Sequence, residues 1–264
     1  MYEFEYHRAG SIDEAVDLVG KASDGRYLAG GMSIVPTMKL RLAQHSGLVD
    51  LNGIDDLAGI STDGSSVTVG AMTHHEAVAA SADVQSAIPA LAALAGGIGD
   101  PHVRHRGTLG GSISNNDPAA CYPSAVLGLG ATIHTNKREI LADDFFTGLF
   151  ETALEEGEIV TKVVFPAPDA ACYIKFPNPA SRFAIVGSFV SKKGDDVRVA
   201  ITGAGPGVFR VAEMEAALKA NFSADVVADI KVSPDGLNSD IHGSAEYRAH
   251  LVTVLSKRAV AGCG

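Results

Sequence analysis

The chain has 264 residues, 46% of them hydrophobic and 20% charged, with a formal net charge of −10. That length suits one large domain or two moderate ones, and the acidity argues against a nucleic-acid surface. Cys121, Cys172 and Cys263 stand singly, with no Cys-x-x-Cys pair, so this chain is expected to hold neither an iron–sulfur cluster nor a structural zinc.

From the N-terminus, Met1-Tyr2-Glu3-Phe4-Glu5 lacks the basic-then-apolar pattern of a signal peptide, and no apolar run reaches the length of a membrane span. A cytoplasmic protein is expected. Ser11 with Glu14 is a capping box, followed by an apolar stripe of Ile12, Ala15, Val16 and Val19. Arg26–Ala29 reads as a short strand that runs into Gly30-Gly31, and Ser33 reads as the cap of a helix with Pro36 in its first turn. Leu48–Leu51 is a further strand. Leu57–Ser61 and Val67–Gly70 flank Asp63-Gly64, a hairpin signal. Thr73 and Glu76 read as a second capping box.

Pro89 to Ala95 is small and apolar, the pattern of a buried helix. A basic, His-rich stretch from Asp100 to Arg106 leads into Thr108-Leu109-Gly110-Gly111-Ser112. Pro118 to Leu129 reads as a helix disturbed by Pro123. Ala131–Thr135 and Glu139–Ala142 predict a hairpin, and Ile159–Phe165 a strand. Pro166-Ala167-Pro168-Asp169 reads as a linker. Beyond it, Cys172–Phe176, Ala184–Ser191 and Val197–Thr202 predict a three-stranded antiparallel sheet with helices on one face. Val211–Ala220 is helical. The last helix starts at Ser244 and is expected to bury Tyr247, Leu251, Val254 and Leu255.

The two glycine pairs, Gly30-Gly31 and Gly110-Gly111, are the most informative features. Glycine allows close backbone approach and positive φ, so successive N–H groups can converge on an anion. Two such loops can clamp a diphosphate, although either pair alone reads better as a tight turn. Gly203-Ala204-Gly205-Pro206-Gly207 looks like part of a dinucleotide fingerprint, but Pro206 removes an N–H donor and no acidic residue follows at the required place. The four histidines His74, His75, His102 and His105 do not form a metal pattern. His74 and His75 are adjacent and point apart, and His102 and His105 lie among Arg104 and Arg106.

Taken in order, five motifs carry a resemblance. These are Phe4-Glu5-Tyr6-His7-Arg8-Ala9; Ala29-Gly30-Gly31-Met32-Ser33 with Met38-Lys39 and Arg41-Leu42; Gly70-Ala71-Met72-Thr73; Asp100-Pro101, Arg104 and Gly107-Thr108-Leu109-Gly110-Gly111; and Gly243-Ser244-Ala245-Glu246-Tyr247-Arg248. The chain resembles the FAD-binding medium subunits of the molybdenum hydroxylases, most closely those of the aerobic carbon monoxide dehydrogenase type. The resemblance implies an α+β fold: a two-lobed FAD-binding domain of the vanillyl-alcohol-oxidase (PCMH) type over residues 1–168, with lobes of about 1–53 and 54–168, and a C-terminal domain over 169–264.

It also implies FAD in this chain, with [2Fe–2S] clusters in a small partner subunit and molybdopterin in a large one, in a dimer of heterotrimers. Electrons would pass from the clusters through FAD to an external acceptor. The alternatives are a free-standing FAD-dependent oxidoreductase of the same fold and a flavin-free assembly subunit. The implied cofactor residues are Leu28, Ala29, Gly30, Gly31, Met32 and Ser33 in the first loop; Thr73; Thr108, Leu109, Gly110, Gly111 and Ser112 in the second; and Asn115, Asp117, Lys175 and Phe183. No catalytic side chain is implied. Ser33 reads equally as a helix cap, Asp117 as a cap of the segment after Pro118, and Phe183 as a core residue at a strand start. Cys121, standing where the family commonly has an acid, reads as inert packing. The family often has an Asp-Tyr pair where this chain has Arg182-Phe183, a departure that bears on the electron acceptor.

Overall fold

The computed structural model describes residues 1–263; residue 264, the end of the expected C-terminal domain, lies outside them. The first lobe runs β1 (Glu5–Arg8), α1 (Ile12–Lys21), β2 (Gly25–Leu28), α2 (Ile34–Lys39) and β3 (Gly47–Asp50). Its strands form a parallel sheet in the order β1-β3-β2. The Ser11 hydroxyl caps α1 by accepting from the Glu14 N–H, while the Glu14 carboxylate accepts from the Gly10 N–H at 2.7 Å. Ala15, Val49, Leu51 and Leu57 build this lobe's core.

The second lobe contains β4 (Ile60–Thr62), β5 (Ser66–Gly70), α3 (His75–Ala80), α4 (Ala82–Ala87), α5 (Pro89–Gly96), α6 (Pro101–Arg104), α7 (Leu109–Asn115) and α8 (Tyr122–Gly128). There follow β6 (Thr132–Thr135), β7 (Glu139–Leu141), α9 (Ala142–Phe145), β8 (Phe146–Gly148), β9 (Glu151–Thr152) and β10 (Val160–Pro166). An antiparallel sheet in the order β4-β5-β10-β6-β7 forms its floor. Helix α5 is apolar on nearly every side and buries Leu91, Leu94 and Ala95, as a fully enclosed helix must.

The C-terminal region contains β11 (Ala170–Pro177), β12 (Ala184–Lys193), β13 (Asp196–Thr202), β14 (Phe209–Arg210), α10 (Ala212–Ala220), α11 (Ala224–Val227) and α12 (Ala245–Gly262). The three long strands pair antiparallel as expected, and the two-residue β14 adds a fourth at the edge. Phe189 of β12 joins the core of the second lobe rather than that of its own region. A Cβ at Gly128 would stand 2.7 Å from its ring, so glycine in α8 is what admits it.

Three local expectations are corrected. Thr73 does not cap α3, whose N-cap is His74 without a side-chain bond. The Thr73 hydroxyl instead donates to the Gly59 carbonyl and accepts from the Gly59 N–H, both at 3.0 Å, while Glu76 pairs with Arg104. Pro123 does not disturb α8 but lies in its first turn, where no N–H is required. In α12 the buried stripe is Arg248, Leu251, Val252 and Leu255, and Tyr247 is exposed. Arg248 can be buried because its guanidinium donates to the Ile185 and Gly203 carbonyls and to both Asp240 oxygens.

Candidate functional site

The chain leaves β2 at Leu28 and turns at once. Gly31 adopts φ +74°, and at Gly30 a side chain would sit on the Arg106 carbonyl oxygen. The first glycine loop is therefore pressed against the residues that lead into the second. On the other side, the Ala71–His75 turn backs the second loop. Leu109 N–H donates to the Thr73 carbonyl at 3.1 Å, Gly110 N–H to the Ala71 carbonyl at 2.8 Å, and His75 N–H to the Gly107 carbonyl at 3.0 Å. Thr73 is thus a support behind the loop. A Cβ at Gly111 would lie 3.4 Å from the Ala29 Cβ, so the two bends face each other across a narrow gap.

A cleft of about 650 Å³ opens along this gap. Both loops line it, together with Tyr27 and Leu51 of the first lobe, Met72, His75, Val103 and Cys121 of the second, and the 181–183 turn of the C-terminal region. Of the expected residues, Ala29, Gly30, Gly31, Met32, Ser33, Thr108, Gly110, Gly111, Ser112, Asn115, Asp117 and Phe183 line it. Leu28, Thr73, Leu109 and Lys175 do not. Leu28 belongs to the strand and Leu109 is buried behind its loop. The Lys175 ammonium is spent on a brace: it donates to the Gly97 carbonyl at 2.6 Å and the Arg182 carbonyl at 2.9 Å, and lies 3.5 Å from the Cys121 sulfur.

The loops differ in what they offer. Among the described residues, the N–H groups of Gly30, Gly31, Met32, Ser33 and Ile34 have no partner. Ser33 makes no cap bond with its hydroxyl. In the second loop the four amides from Leu109 to Ser112 are already used: beyond the bonds of Leu109 and Gly110, Gly111 N–H donates to the Thr108 hydroxyl and Ser112 N–H to the Thr108 carbonyl. The expectation that both bends present bare main-chain amides is corrected accordingly. The second loop contributes a glycine wall and the side chains of Ser112 and Asn115, and Thr108 caps α7.

Asp117 accepts from the Ala119 N–H at 2.8 Å, so it does cap the following turn, and burial holds its carboxyl above the ordinary range. His75 was not singled out as a site residue. It is buried in the cleft wall 5.2 Å from the Tyr122 ring, its Nδ1 has no partner, and burial with nearby His74 and Arg104 lowers its pKa to about 4. Tyr27, whose hydroxyl is likewise buried without a partner, lines the cleft and was also missed. Neither carries a sequence signal beyond its place beside a motif. Glu158 lines the far end, but its carboxylate is consumed by Arg138, Thr135 and the Glu155 N–H. The Gly203–Gly207 loop lies outside the cleft: Gly203 N–H donates to the Pro118 carbonyl, and its own carbonyl accepts from Arg248. Among the described residues no three His, Cys, Asp or Glu side chains are grouped to hold a metal, and no helix is long and apolar enough to cross a membrane.

Comparison with known proteins bears on this cleft. Residues 2–168 match the family described as the FAD binding domain in molybdopterin dehydrogenase, and residues 171–262 match the CO dehydrogenase flavoprotein C-terminal domain. The carbon monoxide dehydrogenase medium chain of Hydrogenophaga pseudoflava is 35% identical, over 97% of this chain and 96% of that one. The nicotine 6-hydroxylase medium subunit of Paenarthrobacter nicotinovorans is 34% identical, over 98% and 96%. A solved structure of carbon monoxide dehydrogenase from H. pseudoflava superposes with a TM-score of 0.86, covering 99% of this chain and 97% of that one. With the two facing glycine loops, these matches establish that the chain belongs to the FAD-binding medium subunits of the molybdopterin dehydrogenases, a family of oxidoreductases.

Proposed function

We propose that this chain is the electron-transfer subunit of a molybdenum hydroxylase complex, holding FAD in the cleft between its glycine loops. The observation that carries this reading is the run of five unpartnered amides from Gly30 to Ile34, on residues that line a cleft within the usual size range of ligand sites. Such a row suits a diphosphate, because main-chain dipoles neutralise an anion without a counter-ion. When bound there, FAD supplies the redox chemistry, and the protein binds, orients and covers it.

The chain's own residues divide that work. Amides 30–34 and the Ser33 hydroxyl hold the diphosphate on one side. Ser112 and Asn115 hydrogen-bond it from the other, and the lack of side chains at Gly110 and Gly111 leaves room for it. Asp117 accepts from a hydroxyl or amino group of the nucleotide. Phe183, 46% exposed at the cleft, shields the flavin ring from water. Lys175 keeps its place in the reading as a brace for that wall. No side chain is assigned proton transfer, because substrate chemistry belongs to a partner chain.

The complex would contain a small subunit with [2Fe–2S] clusters and a large molybdopterin subunit, in a cytoplasmic dimer of heterotrimers. Electrons would reach an external acceptor through this chain. Division of the chain into a FAD domain over 1–168 and a second domain over 169–264 belongs to the same proposal. Purification under native conditions tests it. A yellow complex with two further chains is the expected result. FAD with no partner chain would favour a free-standing oxidoreductase, and neither FAD nor chromophore an assembly subunit.

A further inference from the structure

The 178–183 turn is one of two places in the cleft wall where a non-glycine residue has positive φ, the other being Phe150 at φ +55°. Arg182 has φ +61°, the left-handed region, which is unfavourable for a non-glycine residue and persists only where the surroundings impose it. Here they do. Arg182 N–H donates to the Asn178 carbonyl at 2.8 Å, and Asn178 N–H donates to the Phe183 carbonyl at 2.8 Å. The buried Asn178 side chain accepts from the Ala180 and Ser181 N–H groups. Lys175 closes the set by donating to the Arg182 carbonyl.

The result is a fixed backbone at the cleft wall that carries an exposed cation. The Arg182 guanidinium makes one long hydrogen bond, to the Gly99 carbonyl at 3.4 Å, and no ion pair among the described residues. Asp100 is close enough to feel its charge but spends its carboxylate on the Val103 N–H. Arg182 thus places an exposed positive charge without an ion pair on a strained backbone at the cleft wall, in a chain of net charge −10.

Resting on the FAD reading above, we propose that Arg182 raises the electron affinity of the bound flavin by stabilising the negative charge its ring gains on reduction. Arg182 is a positioning charge. It exchanges no proton and forms no bond with the ring.

The test is a dye-equilibrated redox titration of the full chain loaded with FAD, as wild type, Arg182→Asn and Arg182→Lys. Asparagine is the informative neutral residue, because it tolerates the left-handed region better than arginine and keeps the turn. The expected result is FAD uptake by all three, with the Asn variant favouring the oxidised flavin about tenfold more than wild type. That is about 30 mV for a two-electron couple. The Lys variant should stay near wild type, and the gap should narrow as salt screens the charge.

Equal potentials in wild type and the Asn variant would overturn the proposal while leaving FAD binding intact. A Lys variant as low as Asn would overturn it too, by showing that turn geometry and not charge matters. Loss of FAD by the Asn variant alone would overturn it by making Arg182 a binding residue. Failure of the wild type itself to take up FAD would overturn the reading on which the proposal rests.

Discussion

Gly111 has an ordinary backbone conformation, yet a Cβ there would lie 2.8 Å from the Thr108 hydroxyl and 3.4 Å from the Ala29 Cβ. A branched side chain would fill the gap between the loops. Gly111→Val is therefore expected to lose FAD, read as loss of flavin absorbance after gel filtration, and normal content would defeat the assignment of the second loop. His75 makes a different prediction. Its pKa falls from the ordinary 6.5 to about 4 because burial opposes the charged form. The unfolded chain binds this proton below pH 6.5 and the folded chain does not until about pH 4. Its contribution is thus intact above pH 6.5 and lost as pH falls, by about 3 kcal/mol in all. In urea unfolding between pH 7 and 4.5, His75→Gln should flatten that slope, and an unchanged slope would show that His75 does not cause it. The glycines could be read from the sequence because only glycine tolerates such contacts. His75 could not, because burial arises from elements distant in the chain.

At the level of elements, local signals were read correctly where local chemistry decides. Ser11 and Ser244 cap their helices as expected, since the side chain and the N–H it bonds lie within one turn. Thr73 failed because a tertiary partner, Gly59, took its hydroxyl. Donors in the second loop were overestimated for the same reason: the Ala71 and Thr73 carbonyls, on a separate turn, claim its amides. The face of α12 was misread because arginine is assumed to be outside. Arg248 is 4% exposed and ties α12 to the start of β12 and to the Gly203 turn. Arg248→Met would leave those two carbonyls unpaired, while the exposed Asp240 would be hydrated, and an expected loss of about 2–3 kcal/mol would appear in denaturant unfolding. A loss under 1 kcal/mol would mean that the anchor is not needed.

Across the whole molecule, the cleft exists because three units meet. The first lobe supplies free amides, the second a glycine wall, and the C-terminal region a braced turn with an exposed cation and an aromatic ring. The order of motifs along the chain made the family legible, but their facing geometry was not, since Ala29 and Gly111 are far apart in sequence and meet only through packing. Phe189 crosses into the core of the second lobe, so the regions are not independent beads. The central claim is that amides 30–34 hold a flavin diphosphate. A crystal structure of the chain saturated with FAD tests it most directly. Diphosphate oxygens within about 3.2 Å of those nitrogens are the predicted result, whereas a diphosphate bound elsewhere, or crystals that never take up the flavin, would contradict it.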